Sequence, residues 1–292
     1  MTNIALIGPG AIGGTVGFAL LERGHDLTIC ANQAFETLAL TRADTKKRRA
    51  LPVKVITTPD NVPPSDWVLL CVKAHQTTSA AAWLKAAVGP KTKIAVLQNG
   101  VEHRARVAPY AGPGNAVVPV VVMLPAERKS PGEITSYGVA ALTAPDDAPG
   151  REFAALFECS FVKAVTDADF TSRAWEKLCM NAPSGALCAL TLNPAAIGAF
   201  PQLQPLAERI VEECMAVGRA EGASFADGFA RHIVGLFSRP GGRGNSMYFD
   251  RRDGKPLEWD ARNGVVSRLG ARHGIATPIS DTIVPLLQAL SA

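Results

Sequence analysis

The chain has 292 residues, of which 47% are hydrophobic and 19% are charged. This composition is ordinary for a globular protein, and the length leaves room for two domains. The formal net charge of +4 suits an anionic ligand, but no basic helix with interleaved aromatic residues is present, so we expect no nucleic-acid partner.

Cysteine usage and the apolar runs indicate the cellular compartment. The six cysteines form no C-x-x-C pair and lie mostly within apolar runs, which predicts small core residues in a reducing compartment, with no disulfide frame and no metal site. No apolar run reaches membrane-spanning length. The N-terminus leads into a strand without a basic n-region, which is not how a secretion signal begins. We therefore predict a cytoplasmic protein without a membrane segment.

The first thirteen residues contain a strand, a glycine turn and the start of a helix. A G-x-G-x-x-G motif in this context is the dinucleotide-binding fingerprint, although an ordinary glycine turn is the alternative. The motif consists of Gly8, Pro9, Gly10, Ala11, Ile12 and Gly13. The first glycine permits the tight turn, the second lets backbone approach a pyrophosphate, and the third lets helix pack against strand. The helix N-terminus then presents free N–H groups to the phosphates.

Short apolar runs alternate with helical patterns through the first half of the chain. Strands are predicted at residues 3–7, 27–31, 53–57, 67–72, 94–98, 117–123 and 139–143. Helices are predicted at residues 14–23, 79–87 and 102–108. Runs without polar alternation indicate strands that are buried on both faces. The pattern predicts the βαβ alternation of a Rossmann-like, doubly wound α/β domain.

From about residue 169 onward, helical patterns replace the strands. Apolar residues recur at helical spacing, and helices are predicted at residues 169–189, 205–221, 227–237, 256–273 and 280–290. We expect a domain boundary near residue 168. Residues 1–168 would form the Rossmann-like nucleotide-binding domain, and residues 169–292 an all-α domain. A Gly-rich loop at residues 239–246 is expected to be mobile.

The end of the second predicted strand bears on the choice of dinucleotide. Folds that prefer NAD usually carry Asp or Glu there to hold the ribose hydroxyls, whereas this chain has Asn32. Arg42 or the run Lys46-Lys47-Arg48-Arg49 could supply charge to a 2′-phosphate, although the first interpretation of that run is a solvated loop. The pattern favours NADPH over NADH.

Polar residues follow two of the predicted strands in the first domain. Lys73 and Gln76 come after the strand at 67–72, and Asn99 comes after the strand at 94–98. Ligands of open α/β sheets bind beyond the carboxyl ends of the strands, where a lysine can hold an anionic cofactor. A surface lysine and an ordinary Asn-Gly turn are the respective alternatives.

Polar residues at helical spacing mark the second domain. Lys177 and Asn181 are four residues apart, so they share one helix face, and Gly185 continues that face. Ser246 lies in the Gly-rich loop, and Glu258 lies just inside a helix predicted to begin at Pro256. Taken singly, a solvated helix face and an ordinary helix start explain these residues.

Read together, these segments resemble the ketopantoate reductase family (2-dehydropantoate 2-reductases) over nearly the whole chain. The shared motifs are G-x-G-x-x-G at 8–13, Lys-Ala-x-Gln at 73–76, Asn-Gly at 99–100, Trp-x-Lys-Leu-x-x-Asn at 175–181, Ser-Met at 246–247, Glu-x-Asp-x-x-Asn-Gly at 258–264 and His-Gly-Ile-Ala-Thr-Pro at 273–278.

The resemblance implies NADPH-dependent reduction of a 2-keto acid, first of all 2-dehydropantoate to pantoate in pantothenate biosynthesis. Lys177 would be the general acid that protonates the forming alkoxide. The substrate would be held by Asn99, Asn181, Ser246 and Glu258. The cofactor, NADPH or NADP+, would be contacted by the 8–13 loop, Asn32, Lys73, Gln76, Asn99 and Glu258.

Two departures from the family pattern leave alternatives open. The family often has a further asparagine where this chain has Gly185, which raises the alternative of another 2-keto acid as substrate. It often has arginine where this chain has Asn32, which leaves the strength of the NADPH preference open. A catalytically silent NADP(H)-binding regulator is a third interpretation. The helical domain has enough apolar surface to form a homodimer, but the sequence identifies no dimer face.

Overall fold

The structure is a computed structural model that describes residues 1–238 and 242–291. Residues 239–241 of the predicted Gly-rich loop, and Ala292 at the end of the predicted helical domain, lie outside the described residues. The chain divides into two compact units. The N-terminal unit comprises Met1–Gln98 and His103–Phe170, and the helical unit comprises Asn99–Glu102 with the chain from Thr171 onward.

The N-terminal unit alternates strands and helices. Its elements are β1 (Asn3–Ile7), α1 (Ala11–Glu22), β2 (Asp26–Cys30), β3 (Thr37–Arg42), β4 (Arg48–Pro52), β5 (Lys54–Ile56), β6 (Trp67–Leu70), α2 (Ala81–Ala87), β7 (Lys93–Val96), α3 (His103–Val107), β8 (Val117–Pro119), β9 (Val121–Met123), β10 (Ala126–Ser130), β11 (Glu133–Ser136), β12 (Ala140–Pro145), α4 (Ala148–Ala155) and β13 (Val162–Asp167). Short 3₁₀ turns lie at Pro59–Asn61, Ala74–Gln76 and Ala108–Tyr110.

The main sheet of this unit is parallel, with strand order β5-β2-β1-β6-β7-β8. Along β1, Ile4 and Leu6 pack into one hydrophobic cluster while Ala5 and Ile7 pack into another. The sheet is therefore buried on both faces, which explains why its strands read as uninterrupted apolar runs. The predicted Rossmann-like fold is confirmed.

Two smaller sheets were not expected from the sequence. One has the order β10-β11-β3-β4 and the other β13-β12-β9. The predicted strand at 117–123 is split between β8 in the main sheet and β9 in the smaller one. The prediction that residues 46–49 form a loop is wrong for Arg48 and Arg49, which begin β4 and pair antiparallel with β3. The sequence of β4 carries little apolar signal, because this strand is mostly solvent-exposed.

The helical unit contains α5 (Phe170–Thr191), α6 (Ala196–Ala199), α7 (Gln204–Ala220), α8 (Phe229–Phe237), α9 (Ser246–Arg252), α10 (Val265–His273) and α11 (Pro278–Ala289). A 3₁₀ turn lies at Pro201–Leu203, and a π-helical turn, Asp260–Gly264, leads into α10. One hydrophobic cluster joins α5, α7, α8, α10 and α11. The all-α character predicted for this part of the chain is confirmed.

The helix predicted at 256–273 begins later than expected. Residues 255–258 are not helical, and the first helical residue is Trp259. The Leu257 N–H donates to Ser291 Oγ at 2.8 Å, which holds this segment outside the helix. Glu258 consequently precedes the helix and does not lie in its first turn.

Among the described residues, no helix is both long enough and apolar enough to span a lipid bilayer.

Candidate active site

The glycine loop of the N-terminal unit is shaped by close backbone packing. Gly8 has φ +93°, and a Cβ there would lie 2.6 Å from Val72 Cγ1. A Cβ on Gly13 would collide with the carbonyl oxygen of Gly8. Gly10 differs, because no described atom lies within 4 Å of the position its Cβ would take. The loop is therefore packed tightly at its two ends and open at its centre.

The start of α1 has the features of an anion-binding helix N-terminus. Its N-cap residue is Gly10, which offers no side chain to accept from the first N–H groups, and the first turn carries no acidic residue. A helix N-terminus leaves its first N–H groups without intrahelical partners and carries a partial positive charge. These features, together with the open face of Gly10, fit the pyrophosphate of a dinucleotide.

The end of β2 carries no carboxylate, because exposed Asn32 follows Ala31 there. The nearby arginines expected to supply positive charge have acidic partners. Arg42 binds Asp44 at 2.8 Å, and Arg48 binds Glu133 at 2.5 Å. Arg49 is paired with Glu22. Any role for these arginines at a 2′-phosphate would require breaking an exposed ion pair, and exposed ion pairs contribute little to stability.

Lys73 and Gln76 lie just beyond the carboxyl end of β6, as the sequence predicts. The Lys73 backbone N–H donates to Gln76 Oε1 at 3.2 Å. Gln98, which follows β7, donates from Nε2 to the Val72 carbonyl at 3.0 Å and to Thr77 Oγ1 at 2.9 Å. These hydrogen bonds link the segments that follow β6 and β7 and hold the segment that carries Lys73 in position.

A second group of polar side chains forms in the helical unit. Lys177, Asn181 and Gly185 lie on successive turns of α5. Asn181 Nδ2 donates to Asn99 Oδ1 at 3.3 Å, and Asn99 Nδ2 donates to Glu258 Oε2 at 2.9 Å. Residues separated by up to 159 positions are thus joined by consecutive hydrogen bonds.

Arg262 extends this chain of contacts. Its Nη2 lies 3.8 Å from Glu258 Oε2 and donates to Ser246 Oγ at 2.6 Å. Both charged side chains are almost wholly buried, with 2% of Arg262 and 3% of Glu258 exposed. Ser246 itself is exposed at the start of α9. We call Asn99, Asn181, Ser246, Glu258 and Arg262 the polar cluster.

Contacts outside the polar cluster hold its segments in place. Asn245 caps α9 by accepting from the Tyr248 N–H at 3.1 Å, and it donates to the Ser184 carbonyl at 2.8 Å. Arg268 binds Glu102 at 2.6 Å and Asp260 at 2.7 Å. The short segment that carries Asn99 is therefore attached to the helical unit by an ion-pair network.

Lys177 is partly buried one helical turn before Asn181. Burial, and then the charge of Arg262, lower the pKa of Lys177 to about 8. Both causes disfavour the ammonium form. An amine with this pKa exchanges its proton readily near neutral pH, which suits a general acid.

Comparison with known proteins covers both units. The family described as "Ketopantoate reductase PanE/ApbA" matches residues 4–147, and "Ketopantoate reductase PanE/ApbA C terminal" matches residues 169–291. The chain belongs to the ketopantoate reductase family. The 2-dehydropantoate 2-reductase of Caulobacter vibrioides is 41% identical to it over 293 residues, covering 99% of each chain.

Solved ketopantoate reductase structures have the same fold. The 2-dehydropantoate 2-reductase of Geobacter metallireducens matches with a TM-score of 0.90 and 29% identity, covering 98% of this chain and 99% of that one. The ketopantoate reductase of Staphylococcus aureus, described as dimeric, matches with a TM-score of 0.87 and 26% identity, covering 99% and 98%.

One residue of the polar cluster was missed from the sequence. Arg262 lies within the ketopantoate reductase motif at 258–264, but at one of its variable positions. Its spacing of four residues from Glu258 was the available signal, because side chains at that spacing face each other on a helix. The capping residue Asn245 was also missed, and an asparagine directly before a helix is a common N-cap.

Proposed function

We propose that the protein reduces 2-dehydropantoate to pantoate with NADPH. The observation that supports this most strongly is the buried polar cluster beside Lys177, in a chain 41% identical from end to end to a 2-dehydropantoate 2-reductase. The proposal keeps the predicted division of labour. Residues 1–168 provide most of the nucleotide contacts, and residues 169–292, together with Asn99, provide the groups that bind and reduce the substrate.

The cofactor contacts follow from the glycine loop. Residues 8–13 hold the pyrophosphate against the start of α1. Asn32 would lie at the ribose of the adenosine, and Lys73 and Gln76 would flank its phosphate. Asn99 and Glu258 contribute contacts near the reacting end. When bound, the nicotinamide cofactor supplies a hydride to the keto carbon.

Lys177 completes the reaction at the keto oxygen. As carbon 2 gains a hydride, its C=O π bond breaks and negative charge develops on oxygen. The Lys177 ammonium stabilises this charge and transfers one proton to the oxygen, which gives the 2-hydroxy acid and a neutral amine. Water then reprotonates the amine. Asn99, Asn181 and Ser246 orient the substrate by hydrogen bonds, and Glu258 accepts from a substrate or cofactor hydroxyl.

The preference for NADPH over NADH is supported by the missing carboxylate at the end of β2. An acidic side chain there would hold the ribose hydroxyls of NADH and repel a 2′-phosphate, and exposed Asn32 does neither. Fluorescence titration of each reduced cofactor measures the two dissociation constants. Tighter binding of NADH would contradict the preference.

Steady-state assays with a panel of 2-keto acids test the activity itself. We expect 2-dehydropantoate to have the highest kcat/KM, measured by the loss of NADPH absorbance. A higher value for a different 2-keto acid would show that Gly185 marks a different substrate. Tight NADPH binding without turnover of any acid would instead favour the regulator interpretation.

Two further features complete the proposal. A homodimer is supported by the dimeric Staphylococcus aureus relative, and light scattering after size-exclusion chromatography measures the mass of the assembly. A cytoplasmic location is supported by the six free thiols, because a reducing compartment preserves them.

A further inference from the structure

Gly185 and Arg262 form a complementary pair in the helical unit. A Cβ placed on Gly185 would lie 3.0 Å from Arg262 Nη1 and 2.9 Å from Met247 Sδ. Real Cβ atoms seldom approach other atoms this closely, so the missing side chain makes room for the guanidinium. The position at which the family pattern has an asparagine is therefore filled from another helix by a cation.

The cation is held in unusual surroundings for a charged group. Arg262 is 2% exposed, and its Nε has no hydrogen-bond partner among the described residues. It lies in the π-helical turn Asp260–Gly264, a distortion that frequently marks functional sites. The carboxylates of Glu258 and Asp250 partly offset the cost of burial and raise the pKa of Arg262, while burial lowers it more strongly. Burying a charge is costly unless it is compensated, so a specific use for this cation is expected.

The hydrogen bond from Arg262 to Ser246 shows which group the cation polarises. Arg262 Nη2 donates to Ser246 Oγ at 2.6 Å. A hydroxyl has one proton, and because the Arg262 donor occupies one lone pair of Oγ, the Ser246 O–H is left to donate elsewhere. Ser246 is exposed whereas Arg262 is not. The result is a hydroxyl on an exposed residue that is polarised by a buried cation, which is an arrangement suited to an anion.

We propose that Arg262 is a specificity-determining positioning residue that acts through Ser246 to select the carboxylate of the 2-keto acid. This inference rests on the proposed reductase function and names the group that recognises the charged end of its substrate. Arg262 thereby takes over, with a full positive charge, the place that a neutral asparagine at position 185 would occupy. The chain should discriminate more strongly for an anionic substrate than a site built from amides alone.

The test compares 2-dehydropantoate with its primary amide, which matches the carboxylate in shape but lacks its charge. In the wild-type protein, kcat/KM for the acid should exceed that for the amide by about 100-fold or more, the discrimination typical of a desolvated charge contact. Arg262→Leu should lower kcat/KM for the acid by about 100-fold, mainly through KM, and lower the value for the amide by a clearly smaller factor. Arg262→Lys should recover part of the loss.

Ser246→Ala provides a second variant, because it removes an exposed side chain and leaves the buried Arg262 in place. It should lower kcat/KM for the acid by about 100-fold, as Arg262→Leu does, because the cation acts through this hydroxyl, with a smaller effect on the amide. Arg272→Leu is the matched control, since Arg272 is an exposed arginine in the last turn of α10, and it should change neither value.

Two outcomes would overturn the inference. One is equal loss of acid and amide turnover in Arg262→Leu and Ser246→Ala, which would make Arg262 purely structural. The other is a wild-type protein that reduces acid and amide equally well. In both cases wild-type turnover of 2-dehydropantoate would still support the proposed function. Absence of any wild-type turnover would refute the function and, with it, this inference.

Discussion

The glycine loop of the N-terminal unit and the polar cluster of the helical unit are built from different parts of the chain. The loop uses backbone atoms within six consecutive residues, and its shape depends on side chains that are absent. The polar cluster uses side chains from segments that are up to 159 positions apart, including a buried arginine and a buried glutamate. A site built from backbone atoms accepts an added side chain only where space is open. A site built from side chains is instead sensitive to changes in charge and in hydrogen-bond direction.

The largest expected effect concerns Lys177 in the helical unit. Lys177→Ala should lower kcat by about 1,000-fold, because it removes both the proton donor and the charge that stabilises the alkoxide. The dissociation constant of NADPH should change little, since Lys177 is not among the residues proposed to bind the cofactor. Steady-state kinetics and fluorescence titration measure the two quantities. Lys163→Ala, at an exposed position of β13, is the control, and near-normal turnover by Lys177→Ala would refute the role.

Two alanine substitutions separate the contribution of the glycine loop to folding stability from its contribution to NADPH binding. Gly13→Ala should destabilise the N-terminal unit by about 1–3 kcal/mol, because its Cβ would meet the Gly8 carbonyl. Gly10→Ala should leave stability unchanged, since its φ of −73° suits alanine and its Cβ meets only open space. It should nevertheless weaken NADPH binding by about tenfold, because the methyl group occupies the space in which the pyrophosphate lies.

Thermal denaturation measures the stability of the two variants, and cofactor titration measures their dissociation constants for NADPH. If Gly10→Ala bound NADPH as tightly as the wild-type protein, the open face of the loop would not be the phosphate site.

The pH dependence of reduction is the smallest of the three expected effects. Lys177 must be protonated to act as an acid, and its pKa is about 8. Above that pH the protonated fraction falls, so kcat/KM should fall by about tenfold per pH unit. Replacing Arg262 by leucine removes a neighbouring positive charge and should move the inflection to higher pH, which can be measured with the uncharged amide substrate. An unmoved inflection would mean that Arg262 does not act on Lys177.

The sequence was sufficient to predict the parts of the molecule that depend on local pattern. Asn3–Ile7 and the glycine turn lie next to each other in the chain, and continuous apolar runs mark the buried strands of the parallel sheet. The polar face of α5 could be predicted as well, because Lys177, Asn181 and Gly185 follow helical spacing.

What could not be predicted depends on long-range contacts. The strand β3 was missed because its partner β11 lies far along the chain, and β4, which pairs with β3, was missed because it is mostly exposed and carries little apolar signal. The start of the helix near Glu258 was misplaced because Leu257 is bound to Ser291, near the end of the chain. The role of Gly185 could not be predicted, since nothing near it in sequence indicates that Arg262 lies where a side chain at position 185 would lie.

The most direct test of the account is the amount of pantoate formed per NADPH consumed when the wild-type protein is mixed with 2-dehydropantoate. Chromatography of the products and the absorbance of NADPH measure the two amounts in one sample. The account predicts one pantoate for each NADPH oxidised, with no oxidation when the keto acid is omitted. Binding of NADPH without any formation of pantoate would contradict it.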